Sequence, residues 1–456
     1  MPRAQAAHER LPNLQALPIL SSDALSSVAY ATEASLGVLI LAGSSALKQS
    51  LPITLAIIAL IVIVVLSYRQ AISAYPNGGG SYVVARENLG RNVSLVAAAA
   101  LLIDYTLTAA VSLMAGTQAL SSLLPSLLPH ELSLSLLLLA LVGWANLRGL
   151  REAGRVFAIP TYVFVGMILL LTLVGVSDLS FQHGWTPEPP PLEAALQPLG
   201  LFLILRAFSS GCSAMTGIEA ISTGVQVFRE PAARNARLTL LVMGGLLAAM
   251  LLAVTGLGFM YGIAPNPQVT VLAQIGIRVF GSGSILFWLL QLSTLLILVL
   301  AANTAFAGFP LLAAMLAEDR CLPPQMRWLG DRLVYQNGIG VLLAVSALII
   351  WICHGDTTVA VNLYALGVFT AFTLSQLGLV LHWWRLRGPG WQGRMALNAL
   401  GAFSTFVVLL VIIVSKFTEG AWTVVIALPL VVWGLALIRR RSREVQGLLA
   451  PDPCME

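Results

Sequence analysis

Apolar runs of about twenty residues, separated by short polar breaks, fill the chain from residue 17 to residue 438. As a helix rising about 1.5 Å per residue, a run of that length crosses the ~30 Å hydrocarbon core of a bilayer. Twelve spans are predicted, at 17–42, 51–72, 93–124, 132–148, 156–176, 199–225, 237–262, 282–314, 338–353, 358–384, 397–415 and 421–438. The fold class that follows is an all-α polytopic membrane protein of twelve transmembrane helices.

Two spans depart from the apolar pattern. The first reads Leu-Pro-Ile-Leu-Ser-Ser-Asp-Ala-Leu-Ser-Ser-Val-Ala-Tyr from Leu17 to Tyr30, with four serines and Asp23 in its first third. The sixth reads Ser-Ser-Gly-Cys-Ser-Ala-Met-Thr-Gly-Ile-Glu-Ala from Ser209 to Ala220, with Gly211 and Gly217 bracketing a core of small and polar residues. Glycine permits dihedrals that other residues resist. Irregular backbone at membrane depth is tolerated only where protein or a water-filled cavity satisfies it. Both spans are therefore expected to be unwound, and interrupted helices in matching positions of two halves point to a transporter's substrate site. Small residues also serve helix packing, but packing does not require an aspartate.

The first and sixth spans each open a set of five. Five is odd, so the second set enters the membrane from the opposite side, which predicts two inverted repeats, 17–176 and 199–384, with the last two spans, 397–438, as additions. A cytoplasmic N-terminal tail, 1–16, and a short basic cytoplasmic tail, 439–456, without a regulatory domain, complete the expected domain organisation.

Composition fits a lipid-solvated chain: 58% of the 456 residues are hydrophobic and 10% charged, with a mean hydropathy of +0.87. The net charge of +5 comes from 25 Lys and Arg against 20 Asp and Glu. With a cytoplasmic N-terminus, 21 of the 25 basic residues fall in inner segments, Arg69, Arg151, Arg237 and Arg394 among them, while Lys48, Arg278 and Lys416 fall outside and Arg206 lies within a span. Arginine-rich short loops resist translocation, so this bias predicts both termini in the cytoplasm, in the cell's inner membrane. It also accounts for the basic charge without a nucleic-acid partner. Cys212, Cys321, Cys353 and Cys454 show neither disulfide nor zinc spacing. No cleavage site follows Arg3 and Arg10, so a cleaved signal peptide is not expected.

Carboxylates at membrane depth face a cavity, carry a proton or hold a cation, because burying their charge is costly. Asp23, Asp104 and Glu219 are the three such groups. Asp104, Thr108 and Ser112 recur at intervals of four in the third span, which aligns their oxygens on one stripe; Thr108 and Ser112 could equally bond back to their own helix. Asp23, Glu219, the hydroxyls of Tyr30, Thr108, Ser112 and Thr216, and carbonyls of two unwound segments form an oxygen-rich set. Oxygen cages suit hard cations. A fixed Asp23 would repel the carboxylate of an amino acid substrate, so the chemistry leans to a dehydrated monovalent cation. Glu219, just beyond the glycine-bracketed break, is the expected proton-coupling group.

At these residues the chain resembles a known family. Ser-Ser-Asp-Ala-Leu-Ser-Ser-Val-Ala-Tyr-Ala-Thr-Glu (21 to 33), Ser-Gly-Cys-Ser-Ala-Met-Thr-Gly-Ile-Glu-Ala-Ile-Ser (210 to 222) and Lys-Phe-Thr-Glu-Gly-Ala-Trp (416 to 422) together resemble the KimA-type potassium–proton symporters of the KUP group, in the amino acid, polyamine and organocation superfamily. The resemblance implies a LeuT-like 5+5 inverted repeat plus two extra helices, and proton-driven potassium uptake. It places Asp23, Tyr30, Thr108, Ser112, Thr216 and Glu219 around potassium, with Asp104 nearby and Tyr364 of the tenth span as a further member. No cofactor is implied beyond transported K+ and H+, and the expected partners are a small solute or monovalent cation, the lipid bilayer and a second copy in a homodimer. The chain ends 18 residues after the twelfth span, so the large cytoplasmic C-terminal domain of such symporters is expected to be missing.

The competing reading is a proton-coupled amino acid permease on the same scaffold. Some such carriers have a lysine in the fifth span, and Val156 to Val176 has none. An enzyme is not expected: His8, His130, His183, His354 and His382 lie in tails, loops or helix ends, and no Ser-His or His-Glu-x-x-His arrangement occurs in the spans. The Asn-Gly-Gly-Gly-Ser run at 77 to 81 lacks the strand and the Lys-Ser or Lys-Thr of a phosphate loop and reads as a flexible inner loop. The proline cluster from Pro187 to Pro191, with Glu188, reads as a stiff outer loop.

Overall fold

The computed structural model describes residues 10–78, 80–149, 154–330, 332–417 and 421–449. Arg3, His8, Arg151 and Cys454, and the centre of the 416–422 motif at 418–420, lie outside the described residues. The helices, in chain order, are α1 (Asn13–Ser26), α2 (Val28–Leu39), α3 (Ser50–Ala74), α4 (Ser81–Asn88), α5 (Arg91–Leu123), α6 (Glu131–Leu147), α7 (Gly154–Asp178), α8 (Leu201–Gly211), α9 (Ala220–Thr223), α10 (Ala232–Met260), α11 (Val271–Phe280), α12 (Ile285–Glu318), α13 (Gln336–Ile352), α14 (Thr357–Leu386), α15 (Trp391–Lys416) and α16 (Ala421–Leu449). Among the described residues there are two isolated β-bridges and no extended strand.

Eleven helical segments among the described residues are long and apolar enough to cross a membrane. The ninth predicted span corresponds to α13, which at 17 residues is shorter than the ~20 residues of an average crossing. With it the twelve predicted spans each have a helical counterpart. Two helices are additional to them. α11 begins where the Thr270 side chain accepts the Ala273 N–H at 3.3 Å and packs between the seventh and eighth spans. α4 begins at Gly80 and lies against α5 and α14.

α5 and α12 form the central pair, packed side by side along much of their length. Small residues permit this approach: a β-carbon on Gly308 of α12 would stand 2.6 Å from the Tyr105 ring of α5, and one on Gly116 of α5 would stand 3.2 Å from Leu295. α14 joins the pair from the other side, its Gly367 against the Ala100 carbonyl and Asp104 of α5. α15 and α16 are peripheral, and Phe403, Val414, Leu430 and Trp433 stay exposed on them. In a bilayer such side chains meet lipid tails, so their exposure costs nothing.

The Pro187–Pro191 loop is tied down rather than loose. Glu188 N–H bonds the Met260 carbonyl at 2.9 Å, its carboxylate pairs with Arg278 at 2.5 Å, and Ser44 Oγ donates to the Pro191 carbonyl. Lys416, placed by sequence among the outer-loop charges, is instead the last residue of α15 with its side chain wholly buried. A cation at the very end of an apolar run cannot be told from a loop residue by hydropathy alone.

Candidate functional site

The sixth span breaks as expected. α8 stops at Gly211, a turn of 3-10 helix covers Cys212–Met215, and Thr216 is extended at φ −63°, ψ 154° before α9 resumes at Ala220. Only one of the two bracketing glycines is needed for its freedom: Gly217 adopts φ +72°, whereas Gly211 is ordinary right-handed helix at φ −67°.

The first span does not unwind. α1 and α2 are separated by Ser27 alone, whose dihedrals of −61° and −22° stay close to helical. The serines expected to disrupt this stretch hold it together. Ser26 Oγ donates to the Asp23 carbonyl at 2.9 Å and Ser27 Oγ to the Ala24 carbonyl at 2.6 Å, the local back-bonding open to short hydroxyl side chains. The expectation of free carbonyls from two unwound segments is thus corrected to one.

The two spans cross at their interruptions. Ser27 Oγ lies 3.0 Å from the Ala214 carbonyl, and Gly217 packs directly on Asp23 and Ala24. Tyr30 OH reaches Thr216 Oγ1 at 3.5 Å. From α5, Thr108 Oγ1 shares a 2.7 Å hydrogen bond with the hydroxyl of Tyr364 on α14. Tyr364 also lies within interaction range of Asp23 and Tyr30. The structure therefore gathers Asp23, Tyr30, Thr216, Thr108 and Tyr364 from four segments. Asp104 lies within interaction range of both Asp23 and Glu219. All of these residues are buried, yet Oδ1 of Asp23, Oδ1 of Asp104 and Oγ of Ser112 have no hydrogen-bond partner among the described residues. Buried oxygens normally find partners, and leaving one unmet costs about 1–3 kcal/mol. Orphaned acceptors beside a broken helix are what a cation would coordinate.

Glu219 stands apart from that hydroxyl cluster. Its Oε2 accepts from Ser81 Oγ at 2.6 Å and from Tyr68 OH at 3.3 Å, while Oε1 has no partner among the described residues. Tyr68 of α3 and Ser81 of α4, neither of which the sequence singled out as site residues, both donate to this carboxylate. Tyr68 is wholly buried and packs edge-on against Phe372 at 5.5 Å. The 77–81 run that delivers Ser81 is no free loop. Gln226 donates to the Asn77 carbonyl at 2.6 Å, and a β-carbon on Gly80 would stand 2.6 Å from Thr223 Oγ1. Gly78 and Gly80 let this segment lie close against Thr223 at the end of α9; Gly79 lies outside the described residues.

Asp319 at the close of α12 accepts from Tyr82 OH at 2.5 Å and from Arg86 at 2.6 Å, both on α4. This pair ties the segment carrying Ser81 to the central helix pair.

The amino acid permease family profile matches residues 18–436. The chain is also 44% identical over 434 residues to the potassium transporter KimA of Bacillus subtilis (strain 168), an alignment covering 94% of this chain and 71% of that relative. The match runs through every segment that builds the site. The helical bundle accords with that relationship, and the chain is a multi-pass membrane transporter, not an enzyme, that belongs to the amino acid permease family.

Proposed function

We propose that this protein takes up potassium, driven by protons, through a site formed where the first and sixth spans cross. The observation that carries the reading is Asp23: a buried carboxylate with an orphaned oxygen, lying directly on Gly217 at the helix break. Two hydroxyl pairs, Tyr30 with Thr216 and Thr108 with Tyr364, bring neutral oxygen to the same crossing. Ser112, one turn along the Thr108 stripe, is assigned to the same lining. A monovalent cation stripped of water needs such oxygens in place of its hydration shell. The relationship to a potassium transporter supports the same substrate.

Glu219 is assigned the coupling proton. It sits outside the hydroxyl cluster, with its own donors from Ser81 and Tyr68, so it can gain or lose a proton without being a primary ligand of the cation. Residues 17–176 and 199–384 are read as inverted repeats, and both termini as cytoplasmic, in keeping with the arginine bias.

The amino acid permease profile favours one second reading, proton-coupled amino acid uptake on the same scaffold. Asp23 argues against it, since a substrate carboxylate would meet a fixed negative charge at the position where the broken span offers its backbone. The two readings separate in a bacterium lacking its own potassium uptake systems. Growth at limiting potassium upon expression supports potassium transport; failure to grow with the protein correctly inserted, together with uptake of labelled amino acid, supports the alternative.

A further inference from the structure

A cavity of about 330 Å³, lined by none of the residues at the span crossing, lies between α3, α10, α14 and α15, at the end of the bundle that the arginine bias assigns to the cytoplasm. Arg69 and Ser73 of α3, Arg237 of α10, Trp383 of α14 and Arg394 of α15 line it. Three guanidinium groups from three helices thus face one space. Among the described residues, none of the three is ion-paired.

The arginines are positioned rather than free. Arg237 Nε donates to the Ala233 carbonyl and its Nη1 to Ser73 Oγ, both at 3.2 Å, and Ser73 Oγ in turn donates to the Arg69 carbonyl at 3.1 Å. The Arg394 guanidinium lies 4.7 Å from the centroid of the Trp383 ring. Trp383 itself is only 6% exposed, and its Nε1 has no hydrogen-bond partner among the described residues. An indole N–H can only donate. The polar lining is accordingly dominated by donors and carries three positive charges with no carboxylate, while Leu66 and Leu397 supply an apolar wall. Topological retention of arginine explains positive charge at this end of the bundle. It does not explain three arginines lining one cavity together with a buried indole that lacks an acceptor among the described residues.

We propose that this cavity binds a phosphate-bearing anion, and that its occupant is the headgroup of an anionic phospholipid from the cytoplasmic leaflet. Guanidinium forks match phosphate oxygens, the Trp383 N–H supplies a further donor, and the leucines meet the glycerol end of the lipid. Basic pockets between membrane helices on the cytoplasmic side are suited to such headgroups. Free phosphate shares the headgroup's chemistry but makes no use of the apolar wall.

Native mass spectrometry of the purified full-length protein tests this. Phosphatidylglycerol, phosphatidylcholine and inorganic phosphate are offered separately to the wild type and to R237Q, R394Q and W383F. The expected result is retention of phosphatidylglycerol over phosphatidylcholine, with the preference falling about fivefold for each lost arginine and more modestly for W383F. Because Arg394 is exposed, R394Q keeps the fold, and a size-exclusion profile like the wild type's verifies it. A phosphate adduct that depends on the same arginines, without preference between the lipids, would overturn the lipid occupant and leave a soluble anion in its place. Equal retention of both lipids with no phosphate adduct, or a phosphatidylglycerol preference unchanged in both arginine variants, would overturn the site.

Discussion

Gly217 and Asp23 touch: a β-carbon built on the glycine would stand 2.7 Å from Oδ2 of the aspartate, and 2.8 Å from its Cβ. Only glycine fits there, for two independent reasons. The backbone at φ +72° costs a side-chain-bearing residue about 1–2 kcal/mol, and the added methyl group would displace the carboxylate assigned to the cation. G217A is therefore expected to reach the membrane in near-normal amount and to lose potassium uptake. Uptake rate normalised to membrane-inserted protein reads this; a wild-type rate would show that the close approach is not needed.

The 2.7 Å bond between Thr108 and Tyr364 joins α5 to α14 across the site. Removing one partner leaves the other buried and unsatisfied, a cost of about 1–3 kcal/mol. T108V and Y364F are each expected to weaken apparent potassium affinity by about 5- to 150-fold, while T108S stays near the wild type. Half-saturation of uptake against external potassium measures it. If T108V and T108S behave alike, the hydroxyl is not the operative group.

Glu219 and its donors separate coupling from binding. E219Q keeps a hydrogen-bonding side chain against Ser81 and Tyr68 but cannot exchange a proton, so potassium should still bind while proton-driven accumulation is lost. S81A, which removes the 2.6 Å donor, is expected to alter coupling less severely. Simultaneous records of potassium flux and internal pH in proteoliposomes distinguish these effects. Unchanged coupling in E219Q would exclude Glu219 as the proton carrier.

The Arg86–Asp319 pair is about one-third exposed on each side, so its net strength is within about 1 kcal/mol. D319N is expected to change the transport rate by up to about fivefold without measurable loss of thermal stability. The reversed pair R86D/D319R should recover much of the wild-type rate. A large drop in melting temperature for D319N would instead make the pair a structural support.

How far these features are legible in sequence depends on where their causes lie. The twelve spans are visible because hydropathy is a property of each segment alone. The Asp104–Thr108 stripe is visible because its spacing matches one helix. Thr216 and Gly217 are readable as a break because they fall in a run of small and polar residues that a plain lipid-facing helix does not need. The serines of the first span mislead: the same hydroxyls that suggest unwinding bond back to the Asp23 and Ala24 carbonyls and keep the helix whole. Tyr364 has no local pattern and enters only through the family resemblance. Ser81 and Tyr68 are hidden because their role exists only once α3, α4 and the broken sixth span pack together. The arginine-lined cavity is hidden for the same reason, its charges coming from segments far apart in the chain.

The most direct test of the central claim is potassium flux into proteoliposomes containing the purified wild-type protein or D23N, under an imposed inward proton gradient. The wild type should accumulate potassium and D23N should not, with both proteins eluting as the same folded species. Undiminished accumulation by D23N, or uptake of labelled amino acid without potassium by the wild type, would contradict a cation site built on Asp23.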